Sequence, residues 1–339
     1  MNSVTQPESG LARLLQQIAS AEATIPKSLR SILRGVGQVF FQENALTGAC
    51  FLLGIALSSP LMALGGIIGS ALGYATARLA KFEVGETEAG IYGFNSALVG
   101  IATFFFFQLG AWSAALLLVG CVVAAFLTWL MRRYVLFPTY TSPFILTTWG
   151  VYFLGNALSA AATDPASAPL VPDISIPFAV EATTHGIGQV MFQASLWTGL
   201  LFLAGIAISE WRHALLVLLG SIVGLLVARY HVTLGADAID PERLITRTQL
   251  DTIRLGLYGY NATLAPVALF LWRRTLIPPV LGMVLAVYLS DLMPSVGLPA
   301  LTAPFVLATW VVLLFGWLES RYLGWGRAGD RTASAPEGA

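Results

Sequence analysis

Along this chain apolar residues run on for many positions at a time, and charged residues gather in short clusters between the runs. Such stretches lack the two-residue period of a half-buried strand and the one-sided stripe of a surface helix. They predict helices that are apolar all round, which a bilayer accommodates and water does not. A hydrocarbon core about 30 Å thick takes roughly 20 apolar residues per helix. Ten segments approach that length: 44–59, 61–79, 90–108, 112–131 and 143–162, then 196–210, 214–229, 256–271, 276–293 and 304–319. Shorter apolar pieces at 36–43 and 187–193 precede the first and sixth segments. They read as half-length helices that dip into the membrane without crossing it. The expected fold is an all-α integral membrane protein with ten transmembrane helices. A cytoplasmic segment, 1–34, opens it, with a short amphipathic helix at 11–18, and a flexible cytoplasmic tail, 321–339, Gly/Ala/Ser-rich from 327 onward, closes it.

Composition agrees with that pattern. Hydrophobic residues make up 56% of the 339 positions and charged residues 11%, where a soluble domain carries about 25%; the mean hydropathy is +0.75. Eighteen Lys and Arg balance eighteen Asp and Glu. With no basic excess to displace counterions from phosphates, the chain is not built for nucleic acid. Residues 1–34 lack the apolar core of a cleavable signal peptide. If the N-terminus is cytoplasmic, 14 of the 18 basic residues flank inside ends, among them Arg34, Arg78, Arg132, Arg212, Arg273 and Arg321. Arg229, Arg243, Arg247 and Arg254 remain in one outside loop that is also rich in acids. The bias predicts a multi-pass protein of the cytoplasmic (inner) membrane with both termini inside. Cys50 and Cys121 lie within apolar runs and read as small core residues.

The chain also repeats itself. Residues 35–58, GVGQVFFQENALTGACFLLGIALS, align without gaps to 186–209, GIGQVMFQASLWTGLLFLAGIAIS, with 14 identities in 24 positions. YGFNSALVG at 92–100 returns as YGYNATLAP at 258–266, and TSPFILTTW at 141–149 as TAPFVLATW at 302–310. The three matches keep their order, at offsets of 151, 166 and 161 residues. Two five-helix repeats, 35–175 and 176–320, follow. Because five is odd, the second enters the membrane from the opposite side, about a pseudo-two-fold axis in the membrane plane. That arrangement places a functional path near the midplane, between the halves.

The paired GQVFFQ and GQVMFQ, YGFNSAL and YGYNATL, TSPF and TAPF resemble the signatures of the urea transporter family. The resemblance runs from about 35 to 317 and leaves out both tails. It implies a homotrimer in which each protomer has its own central pore. It also implies passive, channel-like transport of urea with no metal or organic cofactor. By the same resemblance, Gln38, Val39, Phe41, Phe94 and Leu98, with Gln189, Val190, Phe192, Tyr260 and Leu264, line two outer sites. Thr141 and Thr302 mark the constriction between them.

The residues suit such a path on their own chemistry. Urea is flat, uncharged and strongly polar, and loses hydrogen bonds worth several kcal/mol unless a pore replaces them. A narrow slot is required, apolar on its faces and accepting along its edges. Its neutral walls cannot repay the dehydration of an ion. Gln38 and Gln189 offer amides that both accept and donate. Thr141 and Thr302 stand two residues ahead of Pro143 and Pro304, where interrupted helix frees carbonyls. Phe94 with Leu98, and Tyr260 with Leu264, share a helix face at i and i+4; Val39 with Phe41 and Val190 with Phe192 add walls. Two asymmetries stand out: Tyr260 replaces Phe94, and Glu86 and Glu88 align with Thr252 and Arg254, so a carboxylate edge is not repeated.

Plainer roles compete at several positions. The two glutamines also serve as helix caps, the two threonines as backbone partners beside a kink, and Asn95 and Asn261 as props for the Tyr-Gly turn. Gly65, Gly69 and Gly73 form a small-residue stripe suited to close helix packing. Glu43 and Asn44 have no counterparts in the second half and read as local caps. His185, His213 and His231 are too scattered for a metal site. Three functions rival a urea facilitator: a broader conduit for amides, ammonia or water, an ion-coupled secondary transporter, and a membrane enzyme. Coupling needs a titratable group at mid-depth, and no acid lies deep in a predicted span. Catalysis needs a His, Cys or carboxylate cluster, and none is apparent.

Overall fold

A computed structural model of the chain describes residues 20–163, 175–239 and 247–323. The amphipathic helix expected at 11–18 and most of the C-terminal tail lie outside them. The described residues form helices joined by turns and short connections, with one isolated β-bridge between Phe107 and Ala162. In chain order the helices are α1 (Lys27–Gly37), α2 (Ala45–Ser58), α3 (Pro60–Leu79), α4 (Val84–Glu88), α5 (Phe94–Phe106), α6 (Ala111–Tyr134) and α7 (Ser142–Ala157). Then follow α8 (Phe178–Gly188), α9 (Leu196–Ile239), α10 (Arg247–Arg254), α11 (Tyr260–Trp272), α12 (Ile277–Leu292) and α13 (Ala303–Leu318).

All ten apolar segments lie on these helices, but their lengths differ. Pro60–Leu79, Ala111–Tyr134, Leu196–Tyr230 and Ala303–Tyr322 are long and apolar enough to cross a membrane. The pair Lys27–Phe40 and Ala45–Ser58 makes a fifth only if counted as one span, bent by 74°. Helices α5 and α11 have 13 residues each. At 1.5 Å per residue each reaches about 20 Å, short of a 30 Å hydrocarbon core.

Chemistry at the breaks explains where the helices stop. Asn44 Oδ1 accepts from Thr47 N at 3.0 Å and caps α2, while Glu43 pairs with Arg34 at 2.9 Å. Ser59 turns extended (φ −144°, ψ 102°), and Pro60 opens α3, where its missing N–H costs nothing. The second half does the same with different residues. Glu210, 151 positions after Ser59, breaks α9 with φ −152° and ψ 104°, and its carboxylate accepts from Arg212 N at 3.2 Å. Segments 196–210 and 214–229 are thus two arms of one bent helix. Glu83 caps α4, accepting from the N–H groups of Gly85 and Glu86, which hold its carboxyl below the usual glutamate range.

The glycine stripe packs α3 against α5 backbone to backbone. A Cβ at Gly65 would stand 2.4 Å from Gly100 O, and at Gly69 or Gly73 2.2 Å from the carbonyl of Ser96 or Tyr92. Only glycine allows that approach. Gly220 repeats it on α9, 2.1 Å from Ala262 O. Cys50 and Cys121 are free thiols, and Cys121 is buried.

The halves meet through contacts that come in reciprocal pairs. Thr47 Oγ1 donates to Gly205 O and Thr198 Oγ1 to Gly54 O, both at 2.7 Å. Trp149 Nε1 donates to Pro299 O and Trp310 Nε1 to Pro138 O, both at 2.9 Å. Phe51 packs on its own counterpart Phe202, ring centroids 4.7 Å apart.

Candidate substrate path

Each GQV(F/M)FQ motif folds into one tight chain reversal. A 3-10 turn, Gln38–Phe40 or Gln189–Met191, ends in a phenylalanine of left-handed backbone, Phe41 at φ 61° and Phe192 at φ 62°. Phe41 N bonds Gln38 O and Gln42 N bonds Gly37 O; Phe192 and Gln193 repeat the pattern. This is a Schellman-type ending, in which glycine usually holds the left-handed place. A phenylalanine there costs about 1–3 kcal/mol of strain. The strain holds both rings beside the seam: Phe41 packs edge-on to Tyr140 and Phe305, and Phe192 to Phe144.

The two glutamines of each motif have separate work. Gln42 and Gln193 are almost fully buried and tie the reversal to the other half. Gln42 Nε2 lies 3.1 Å from His213 Nδ1, and Gln193 Nε2 lies 3.5 Å from Met62 Sδ. Gln38 and Gln189 are half-buried. Gln38 Nε2 donates to Ala89 O at 2.9 Å. With its NH2 group so engaged, the Gln38 carbonyl is left as the acceptor for an N–H donor.

Thr141 and Thr302 occupy the N-cap places of α7 and α13, yet neither hydroxyl caps its own helix. Their Oγ1 atoms bond one another at 2.7 Å, buried between the halves. The caps come from elsewhere. Asn95 Oδ1 accepts from Phe144 N and Asn261 Oδ1 from Phe305 N, each at 3.2 Å. Their amide nitrogens donate to Thr128 Oγ1 (2.9 Å) and Ser290 Oγ (3.1 Å). The asparagines therefore clamp three helices together instead of bracing the Tyr-Gly turn alone, and so free the threonine hydroxyls to meet. Tyr140 (φ 46°) and Leu301 (φ 47°), just ahead of them, are also left-handed.

A cavity of about 300 Å³ opens on the second-half side of this threonine pair. Gln189, Val190, Phe192, Tyr260 and Thr302 all line it. Leu264 is fully buried and outside the lining, as are Val39 and Leu98 on the first-half side, where Phe94 is 8% exposed. The wall also holds Phe105 and Phe106 from the first half, and Thr252, Tyr258 and Asp291. Sequence reasoning placed none of these on the path, although Thr252 entered it as the counterpart of Glu86. Tyr258 begins a motif already singled out, and Asp291 lies only two residues from the end of the apolar segment 276–293.

The charged edges differ between halves. Glu86 accepts from the Tyr92 hydroxyl and pairs with Arg132. In the second half Arg254 pairs with Glu181 at 2.8 Å, and the places of these two in the first half hold Glu88 and Arg30, with signs exchanged. Among the described residues no three His, Cys, Asp or Glu side chains gather as metal ligands.

Comparison with known proteins bears on this geometry. A family model described as urea transporter matches residues 29–316. Urea transporter 1 of Capra hircus is 28% identical over 309 residues, covering 84% of this chain and 76% of that protein. The proteins of the same name from Ovis aries and Mus musculus are also 28% identical, with the same coverage.

Proposed function

The chain belongs to the urea transporter family, and on that premise we propose that urea crosses a membrane through a neutral slot between its two halves. Transport is passive and channel-like, and the chain is a transporter, not an enzyme. One observation carries the reading: five of the six pore positions expected in the second half share one cavity wall that ends at the Thr141–Thr302 pair. Urea entering there meets aromatic faces from Phe192 and Tyr260 and an amide edge from Gln189. At the threonine pair its N–H and carbonyl groups exchange with the hydroxyl–hydroxyl bond, so the narrowest point is polar but uncharged. An ion gains too little from such walls to offset its lost hydration.

The reciprocal contacts support a two-fold relation between the repeats, because a contact i–j matched by j–i is what such an axis produces. With five crossings per repeat, that axis lies in the membrane plane and the topology is inverted. In this reading α5 and α11 reach only part of the way across and are completed by the short segments before them. The positive bias supports cytoplasmic termini in the inner membrane, and the family resemblance supports a homotrimer with one pore per protomer. Counterflow of labelled urea in proteoliposomes, with and without proton and sodium gradients, tests the function. Gradient-independent urea exchange is expected; flux that collapses with an ion gradient would overturn passive transport. Parallel flux of methylurea, formamide and water separates a urea-selective slot from a broader conduit.

A further inference from the structure

Gln42 and Gln193 are counterparts that do the same work against different partners. Each directly follows the left-handed phenylalanine of its reversal. Each donates back to the carbonyl two residues earlier, Gln42 Nε2 to Phe40 O at 2.6 Å and Gln193 Nε2 to Met191 O at 2.8 Å. A carbonyl only accepts, so these bonds fix which end of each amide is the NH2 group. The second hydrogen of that group goes across the seam, to Met62 Sδ from Gln193 and to His213 Nδ1 from Gln42. Met62 and His213 are themselves counterparts, 151 positions apart. A thioether accepts and never donates. The repeat thus assigns His213 Nδ1 the same accepting part, with the imidazole proton on Nε2 and the ring neutral.

Unlike Met62, His213 has a ring that takes up a proton. Protonated, it carries N–H on both nitrogens, and Nδ1–H then faces the Gln42 NH2 group, donor against donor. Turning the amide over only moves the conflict, since its carbonyl then faces Phe40 O. Both side chains are buried, Gln42 at 2% and His213 at 8% exposure, and burial leaves such a conflict costly. Glu210, one turn earlier on α9, is the charged group that acts on the ring. Beside Gln42, Glu43 turns to Arg34, and from α11 the ring meets Phe270 edge-on at 6.3 Å. Of the other helices packed on α9, α2 carries no charged residue, Glu181 on α8 pairs with Arg254 of α10, and Asp291 on α12 bonds Tyr258. Resting on the path proposed above, we infer that His213 is a positioning residue for the first-half slot. While neutral it holds, through Gln42, the reversal that sets Phe41 in place; its protonation releases that wall, so urea flux falls reversibly in acid.

The test is urea flux by stopped-flow light scattering in proteoliposomes at equal pH inside and out, with protein-free vesicles subtracted. The range runs from pH 8 to pH 5, within which histidine ordinarily changes charge. Flux through the parent is expected to fall about fivefold, the effect of about one hydrogen bond, and to return when the vesicles are brought back to pH 8. His213→Met, which copies the other half, should conduct like the parent at pH 8 and lose nothing at pH 5. Met62→His sets a titratable acceptor against Gln193 and, added to His213→Met, should restore the acid sensitivity. Gln42→Leu removes the donor that opposes the protonated ring, so its flux, at whatever level, should not vary with pH; this variant decides the matter if His213→Met fails to insert. Equal parent flux at pH 5 and pH 8 overturns the inference, as does a His213→Met variant that keeps the parent profile. Flux lost at every pH in inserted His213→Met reduces His213 to packing and also overturns it, and no acid sensitivity in the Met62→His double variant overturns the equivalence of the two acceptors. A parent that fails to conduct urea at pH 8 instead removes the function proposed above.

Discussion

Replacing Asn261 by alanine removes the clamp on one side of the constriction. Its amide donates to Ser290 Oγ at 3.1 Å and to Leu301 O at 3.4 Å, and its carbonyl accepts from Phe305 N at 3.2 Å. Hydrogen bonds between helices in a membrane average about 0.6 kcal/mol, so these three contribute about 2 kcal/mol together. The larger cost is the N–H of Phe305, buried at the third position of α13 with no partner, at about 1–3 kcal/mol. Thr302 stands at the N-cap and can rotate to satisfy that group. Doing so withdraws its hydroxyl from Thr141, 2.7 Å away. The expected result is a loss of roughly 2–3 kcal/mol of stability, coupled to a change in permeation: slower urea flux and weaker exclusion of other neutral solutes. Unfolding in detergent followed by intrinsic fluorescence gives the first quantity, and stopped-flow light scattering of proteoliposomes the second. If Asn261→Ala destabilises while Thr302→Val in the same background changes flux no further, the coupling holds. If Asn261→Ala leaves both stability and selectivity untouched, the account of borrowed caps is wrong.

Other outcomes follow from the same geometry. Gln38→Ala and Gln189→Ala should each cut urea flux by about tenfold, the effect of roughly 1.4 kcal/mol per lost hydrogen bond, while insertion is unchanged; unaltered flux in both refutes their place in the slot. Thr141→Phe should abolish urea counterflow by filling the constriction, and full permeability would place the path elsewhere. Gly69→Leu should prevent assembly, since even a Cβ there meets Ser96 O at 2.2 Å; a folded, conducting variant by size-exclusion and flux would contradict the packing. Because the folded-state pKa of Glu83 is lowered, its cap on α4 is intact above the ordinary glutamate value of 4.5 and is lost as pH falls through the lowered one. Amide hydrogen exchange at Gly85 and Glu86 should therefore accelerate only below that value.

Much of the helical layout was legible because lipid makes a simple demand: every stretch inside it must be apolar and must satisfy its own backbone. The runs at 61–79, 112–131 and 304–319 needed no tertiary information to be read as helices. The repeat was legible for a different reason, since identical local sequences fold alike, down to matching φ values at Phe41 and Phe192. What escaped the sequence depends on partners far along the chain. Nothing local says that Asn95 caps a helix 49 residues away, or that Gln42 reaches His213, whose own repeat partner is Met62. The break at Glu210 showed in the sequence only as the gap between 196–210 and 214–229; that the two arms stay one bent helix did not, because Glu210-Trp211 stands where Ser59-Pro60 ends one helix and opens the next. Asp291 was passed over because acids near span ends are ordinarily solvated; its place beside Tyr258 in the cavity wall is visible only in the fold.

The seam between the halves has a consequence for ancestry. Every reciprocal contact joins a donor in one half to an acceptor whose own equivalent lies in the donor's half: Thr47 and Gly54, Trp149 and Pro138. A polypeptide ending near residue 163 would thus carry both members of each bond and the Phe51 and Thr141 that face their own kind. If the halves are inverted as proposed above, two such chains in opposite orientations would close the same seam. Joined in one chain, each half has a single partner to fit, which leaves room for unmatched pairs such as Glu86 and Thr252.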